Sequence, residues 1–388
     1  MSRVYHLLGL HMHQPPGNLE LLIKHNEWEA RQIMLCYERP LKYARLYKDV
    51  ARFCVGFSGI LLEQFLDPGI VSRYAGIVDI PAMLDGYREA TNIELAGMGY
   101  YHPVFPLIPM EDWDEQSARG KQKIVEVFGR EPSVFWPPEM AFTMEMIPAL
   151  VRNGYRYLVA DSVHVATKES LTREQAVYTP HIAEYDGASI IVLPRDRDLS
   201  NAQESGLDPD WFANEVVRKT AAAPDPCLLT TWTDGENGGW FRQIHEEGGF
   251  WGFYYAPLME RVRSGEVPIR PVLPAEYCAF APPRTHAEVR TGAWNIGSTS
   301  GHDFSHWAGS GSQKQALDAL YTVRRRYRDM ADSPGTSQRA GAREKLDQAR
   351  EWILQAETSC YLFWGDAWIP KLYEHTRKAH QVLDEVGA

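Results

Sequence analysis

The chain has 388 residues, 44% hydrophobic and 23% charged, with a formal net charge of −11 at pH 7. That length holds one large barrel-like domain plus a smaller appendage, or two ordinary domains, at a composition usual for soluble globular proteins. The acidic balance opposes binding to a phosphate backbone, and no apolar run approaches the length of a membrane helix, so neither nucleic acid nor membrane is expected as a partner.

The first expected strand is Val4 to His13, "VYHLLGLHMH". Its apolar stretch is short, carries His6 and runs directly into His11 and His13, with no small-residue cleavage site, which argues against a signal peptide and for a cytoplasmic protein. Further strands are expected at Arg52–Ser58, Ile93–Met98, Ser133–Trp136, Tyr155–Ala160, Ser189–Pro194 and Cys227–Trp232. Helical patterns lie between several of them, including Asp114–Gly129 and Thr143–Gly154, the latter with a Thr cap, a terminal Gly and a Pro148 that should bend or shorten it. Apolar strands alternating with helices indicate a parallel sheet covered on both faces, and about seven strands suit a closed or nearly closed barrel. Beyond Pro282 the pattern becomes helical, with Ser312–Ala331, a turn at Ser333–Gln338, a single long helix from Ala342 to Trp364 and a last helix from Ile369. The expected division is a catalytic barrel over residues 1–282 and a loop and helical bundle over 283–388. The five cysteines are scattered and form no C-x-x-C pair, against a disulfide framework or zinc knuckle and for a reducing compartment.

In parallel barrels the chemistry collects at the C-terminal ends of the strands. Here those ends carry "HMHQPP" with His11 and His13, a run from Glu94 to His102, "WPPEMAF" with Glu139, "ADSVH" with Asp161 and His164, and "TTWTDGENGGWF" with Asp234 and Glu236. Each has an ordinary reading: two satisfied barrel histidines, a helix-start acid, a strand ending in an Asp-Gly turn, and tryptophans Trp136 and Trp240 in the core. Five strands delivering titratable groups to one end outweigh those readings together. Glycoside cleavage needs two carboxyl groups flanking one bond, and aromatic walls with histidines suit a sugar. Glu236, two residues from Asp234, could raise the proton affinity of Asp234 by like-charge proximity. No dinucleotide fingerprint, phosphate loop or H-E-x-x-H is present.

Four of these segments, "HMHQP", "IELAGMGYYHP", "WPPEMAF" and "WTDGENGG", resemble in order and spacing four of the five motifs of glycoside hydrolase family 57. The family includes α-amylases, 4-α-glucanotransferases, branching enzymes, amylopullulanases and α-galactosidases. The resemblance implies an α/β fold, an incomplete (β/α)7 TIM-like barrel followed by a C-terminal helical region. It implies a retaining mechanism without metal or other cofactor, with Glu139 as nucleophile and Asp234 as acid/base, acting on an oligo- or polysaccharide. It places His13, Glu94 and Glu236 at the donor-sugar subsite, with His11 beside them. His102, Trp136, Trp240, Trp294, Asp303 and Trp364 are further candidates to line the pocket, as are His302 and Trp307. In the fifth motif, "TSCYLFWGDAW", Cys360 stands where the family usually has an acid, with Asp366 nearby. Two other readings remain: a metal-dependent deacetylase- or α-mannosidase-type enzyme holding zinc on His11, His13 and His102, and a non-catalytic carbohydrate-binding relative. Neither the linkage cleaved nor the oligomeric state follows from the sequence.

Overall fold

The computed structural model describes residues 4–243, 245–294, 304–333 and 341–387. Seven strands form its centre: β1 (Val4–Met12), β2 (Phe53–Phe57), β3 (Ile93–Gly97), β4 (Val134–Phe135), β5 (Tyr157–Asp161), β6 (Ala188–Arg195) and β7 (Cys227–Asp234). Each pairs in parallel with the next, and β7 pairs with β1 from Val4↔Cys227 to His11↔Asp234. The ring is therefore closed with seven units, and all seven strands lie where the apolar runs put them. Buried on both faces, such strands have no polar alternation to show.

Closure between β6 and β7 is slender. Only Arg195 and Thr230 pair in register. The first half of β6 instead forms a hairpin with His181–Tyr185 through Asp186 and Gly187, whose φ values of 46° and 74° match the two-residue turn that Asp-Gly favours. Above Arg195, side chains take over from the ladder on β7. The Arg195 Nε donates to Trp232 O at 2.7 Å, and the Trp232 amide donates to Ser200 Oγ at 3.1 Å. Inside the ring, Leu7, Cys54, Ala96, Val159 and Leu228 pack below the indoles of Trp136 and Trp232. Gly9 admits Trp232, since a Cβ there would stand 2.0 Å from the indole.

Helices surround the ring, among them α1 (Glu27–Leu46), capped by Asn26, and α2 (Trp113–Phe128), ended by Gly129 at φ 64°. The helix expected from Thr143 begins later: a 3-10 turn covers Met144–Met146, and the α-helix runs Ile147–Arg152 with Pro148 in its first turn, where no amide donor is missed. Past Pro282 the barrel side continues, because Thr285–Val289 pairs with His181–Tyr185 and with Val165–Thr167. The helical region comprises α3 (Gly311–Ala331), α4 (Ala342–Ala356), α5 (Ser359–Phe363) and α6 (Ile369–Gly387). The single helix expected over 342–364 is broken at Glu357 and Thr358, and most of the turn expected at 333–338 lies outside the described residues. The break plugs into the barrel: Thr358 bridges Pro103, the Ser359 amide donates to His102 O at 3.1 Å, and Gln116 Nε2 donates to Glu357 Oε2 at 2.7 Å. Arg350 and Arg324 clamp the fully buried Asp112, each at 2.7 Å. Among the described residues no helix is long and apolar enough to cross a membrane.

Candidate active site

Glu139 follows the two-residue strand β4 on the turn Pro137-Pro138-Glu139-Met140. Glu139 and Met140 both have positive φ, 59° and 52°, a conformation that costs side-chain-bearing residues about 1–3 kcal/mol each and clusters at functional sites. Three backbone bonds hold it: Met140 N to Pro137 O at 2.8 Å, Ala141 N to Pro138 O at 3.0 Å, and Trp294 N to Glu139 O at 2.9 Å. The carboxylate is held equally firmly. Trp294 Nε1 donates to Oε2 at 2.9 Å and Ser359 Oγ to Oε1 at 3.0 Å. Burial nevertheless pushes the Glu139 carboxyl up to about 7; the Trp294 and Ser359 donors work against that rise, and the Asp234 charge adds to it.

Asp234 ends β7 and accepts at Oδ1 from the amides of Glu236 and Asn237, both at 2.9 Å, and at Oδ2 from the Asn237 side chain. His11 Nε2 is 3.8 Å from Asp234 Oδ2, and its ring is 5.3 Å from that of Trp294, so the carboxylates of β4 and β7 are joined by a short run of contacts. Glu236 accepts from the His13 amide at 2.8 Å. Burial, reinforced by Asp234, pushes its carboxyl well above the ordinary range.

His13 and His102 stack face to face, centroids 4.0 Å apart and planes 5° apart. Their Nδ1 atoms are engaged by Ser58 at 2.8 Å and Ser359 at 2.9 Å, which leaves both Nε2 atoms buried without a protein partner. Burial pushes both rings toward the neutral form, His13 to about 3 and His102 well below its usual value. Neutral imidazoles can donate to or accept from a hydroxyl. The three histidines lie in layers, and among the described residues no group of three or more His, Cys, Asp or Glu is arranged to hold a metal ion.

The other candidates are placed differently. Glu94 is the second residue of β3, at the opposite mouth of the barrel, where it accepts from Ser133 Oγ at 2.8 Å. A strand's two ends look alike in sequence, and this acid lies at the end away from Glu139 and Asp234. Trp136 is fully buried, with His11 on one face at 4.9 Å and Trp232 on the other at 5.3 Å, so neither face is open to a sugar. Trp240, in the short helix Gly238–Phe241 after β7, meets Phe253 edge-on at 6.1 Å. Trp364 is exposed one residue past α5, against Phe363, and Asp366 is exposed beyond it. Trp307 is buried. Asp303 and His302 lie outside the described residues. The Cys360 thiol, kept protonated by burial, senses the charges of Glu139, Glu236 and Asp234. Asp161 is a buried partner of Arg195 and Arg197, and His164 Nε2 reaches Ala293 O at 3.0 Å.

The sequence model described as Glycosyl hydrolase family 57 matches residues 8–290. The chain belongs to that family. Among curated relatives, it is 26% identical to Alpha-amylase 1 of Dictyoglomus thermophilum over 255 residues, covering 63% of this chain and 34% of that one. It is 27% identical to a 4-alpha-glucanotransferase of Thermococcus kodakarensis over 202 residues, covering 51% and 28%. The matched stretch thus spans about a third of the length of these relatives. In fold it is similar to the crystal structure of an alpha-amylase from Thermotoga maritima, with a TM-score of 0.74 at 13% identity over 100% of this chain and 94% of that one.

Within this family-57 barrel, several residues beside the carboxylates escaped the sequence reading. Arg195 ends β6, where the rule applied to the other strand ends would have found it. Its guanidinium is fully buried, bonded to Trp232 O and Asn201 Oδ1 and 5.9 Å from the Trp294 ring. Ser359 was visible only as the neighbour of Cys360. Ser58, an ordinary helix cap, and Tyr37, inside α1 and facing Glu236, gave no sign. Glu204 is pushed up to about 7 by burial and by the Asp234 charge.

Proposed function

We propose that this family-57 chain is a retaining glycoside hydrolase or transglycosylase acting on α-glycosidic bonds of an α-glucan. The observation that carries the reading is a carboxylate gripped by two donors, Glu139, sharing one buried centre with Asp234 and with two unpartnered imidazole nitrogens. Glu139 attacks the anomeric carbon as the glycosidic C–O bond breaks, and Asp234 delivers its proton to the departing oxygen. Asp234 then removes a proton from water, or from a sugar hydroxyl, which displaces Glu139 and restores the anomeric configuration. His13 and His102 bind hydroxyls of the donor sugar through Nε2, and Glu236 accepts from another. Gly238 and Gly239, where an added Cβ would meet nothing within 4 Å, leave room for the glycan to pass. Neither carboxylate role requires a metal, and activity on maltooligosaccharides is expected to survive exhaustive chelation.

The raised proton affinity of Glu139 favours a second reading, in which Glu139 is the acid and Asp234 the nucleophile. Labelling with a 2-deoxy-2-fluoro-α-glucosyl fluoride, followed by peptide mass spectrometry, separates the two. The label is expected on Glu139; a label on Asp234 reverses the roles. Glu139→Ala should abolish turnover and regain part of it with azide, giving the inverted glycosyl azide. Asp234→Ala should lose natural glycans yet still cleave glycosyl fluorides, whose leaving group needs no proton. An Asp234→Ala enzyme with undiminished glycan turnover would sink the assignment.

A further inference from the structure

At the mouth of the barrel opposite the carboxylates there is a groove of about 900 Å³, near the upper end of the roughly 300–1,000 Å³ usual for small-molecule sites. Its floor is the start of β1 with the short parallel strand Ile269–Pro271 beside it, and one wall is the helix Pro274–Phe280. Tyr5 and Phe280 pack with centroids 4.9 Å apart, and Phe280 keeps 52% of its surface in water. The charged groups lining the groove are Arg52, Arg270, Asp49, Glu266 and Glu276. Arg52 leans on Glu276 at 3.4 Å, whereas among the described residues neither Arg270, 5.9 Å from the Tyr5 ring, nor Glu266 enters an ion pair.

We propose that this groove is a second carbohydrate site, taking a run of glucosyl residues of the polymer whose bonds the centre cleaves; it rests on the α-glucan reading above. Interspersed guanidinium and carboxylate groups offer donors and acceptors with no dominant sign, which suits a neutral polyhydroxylated chain and opposes a phosphate or an anionic surface. The exposed Phe280 ring supplies the flat apolar surface on which a pyranose face rests. His11 lies six positions along β1 from Tyr5, about 20 Å of extended strand. A short oligosaccharide in the catalytic centre therefore does not reach the groove, while a polymer can engage both. Two weak sites on one chain raise retention without any new contact at either.

The test compares the wild type with Phe280→Ala/Arg270→Ala, both outside the catalytic centre and both at exposed positions. Dissociation constants for soluble glycogen come from affinity electrophoresis, turnover is measured on maltotriose and on dilute glycogen, and circular dichroism checks folding. The double variant is expected to bind glycogen about tenfold more weakly and to lose turnover on dilute glycogen, with maltotriose turnover unchanged. Equal glycogen affinity in the two proteins overturns the proposal, as does a wild type that binds no glycogen. Maltotriose turnover falling as far as glycogen turnover overturns it too, because the short substrate does not touch the groove. A wild type that cleaves no α-glucan but binds glycogen through Phe280 refutes the catalytic reading and leaves the groove standing.

Discussion

Glu139 is held by opposing influences that can be varied separately. Burial and the neighbouring Asp234 keep its proton on, while Trp294 Nε1 and Ser359 Oγ favour the anion. If Glu139 is the nucleophile, its ionisation near pH 7 sets the acid limb of kcat/KM, which reports groups of the free enzyme. Ser359→Ala removes one donor to the anion. A hydroxyl bond to a charged group is worth roughly 1.5 kcal/mol, so the limb should move to higher pH by about one unit. A pH–rate profile on an activated aryl glycoside checks this; a limb that stays in place assigns the ionisation to another group. The same substitution frees His102 Nδ1, so a fall in affinity for the donor sugar should accompany the shift.

Among the elements, the break between α4 and α5 does most to complete the site. An uninterrupted helix would carry Ser359 past the barrel; the break at Glu357 and Thr358 turns it toward Glu139 and His102. Behind it, Asp112 is fully buried between Arg350 and Arg324. Asp112→Ala takes the shared carboxylate from two guanidinium groups; Arg350 keeps Glu115 at 2.7 Å, while Arg324 loses its acid partner, and the change should cost about 3 kcal/mol, read as a lower urea midpoint for unfolding. The strands were legible in the sequence because a parallel barrel buries both faces of each, and an apolar run needs no tertiary information. The ends of strands were less so: Glu94 and Glu139 both adjoin apolar runs, and nothing in the letters says which mouth each faces. Trp136 reads as a platform until the rings on its two faces are known. The helix break was hidden because Glu357 and Thr358 do not by themselves stop a helix; their partners, Gln116 and Pro103, lie more than two hundred residues away. The Asp186-Gly187 hairpin was written plainly, but the apolar run after it drew the attention.

For the whole molecule, the site is a stability cost that depends on pH. In the folded chain burial pushes the Glu139 and Glu204 carboxyls up to about 7, and that of Glu236 well above the ordinary value of 4.5. Between those values the folded protein holds protons that the unfolded chain has lost, so these groups favour folding below about pH 4.5 and lose that contribution as pH rises through 7. Glu139→Gln removes the charge without the shape. It should be neutral in stability at pH 4 and stabilising at pH 8 by roughly 3 kcal/mol, the equivalent of its shift. Urea midpoints of the two proteins at the two pH values decide it, and a difference that does not grow with pH would place the strain elsewhere.

The stacked rings have an optical consequence. Trp232, Trp136, His11, His102 and His13 form one column from the barrel interior to its mouth, and the two indoles in it are 5.3 Å apart with planes 11° apart. Two indole transitions held that close couple as an exciton pair, and an in-plane rotation between them splits their circular dichroism into bands of opposite sign. Trp136→Phe should collapse the couplet while the other tryptophans go on absorbing. Because the next ring in the column is His11, which touches Asp234, the sign and size of that couplet give the site an internal gauge that can be read with no substrate in the cuvette.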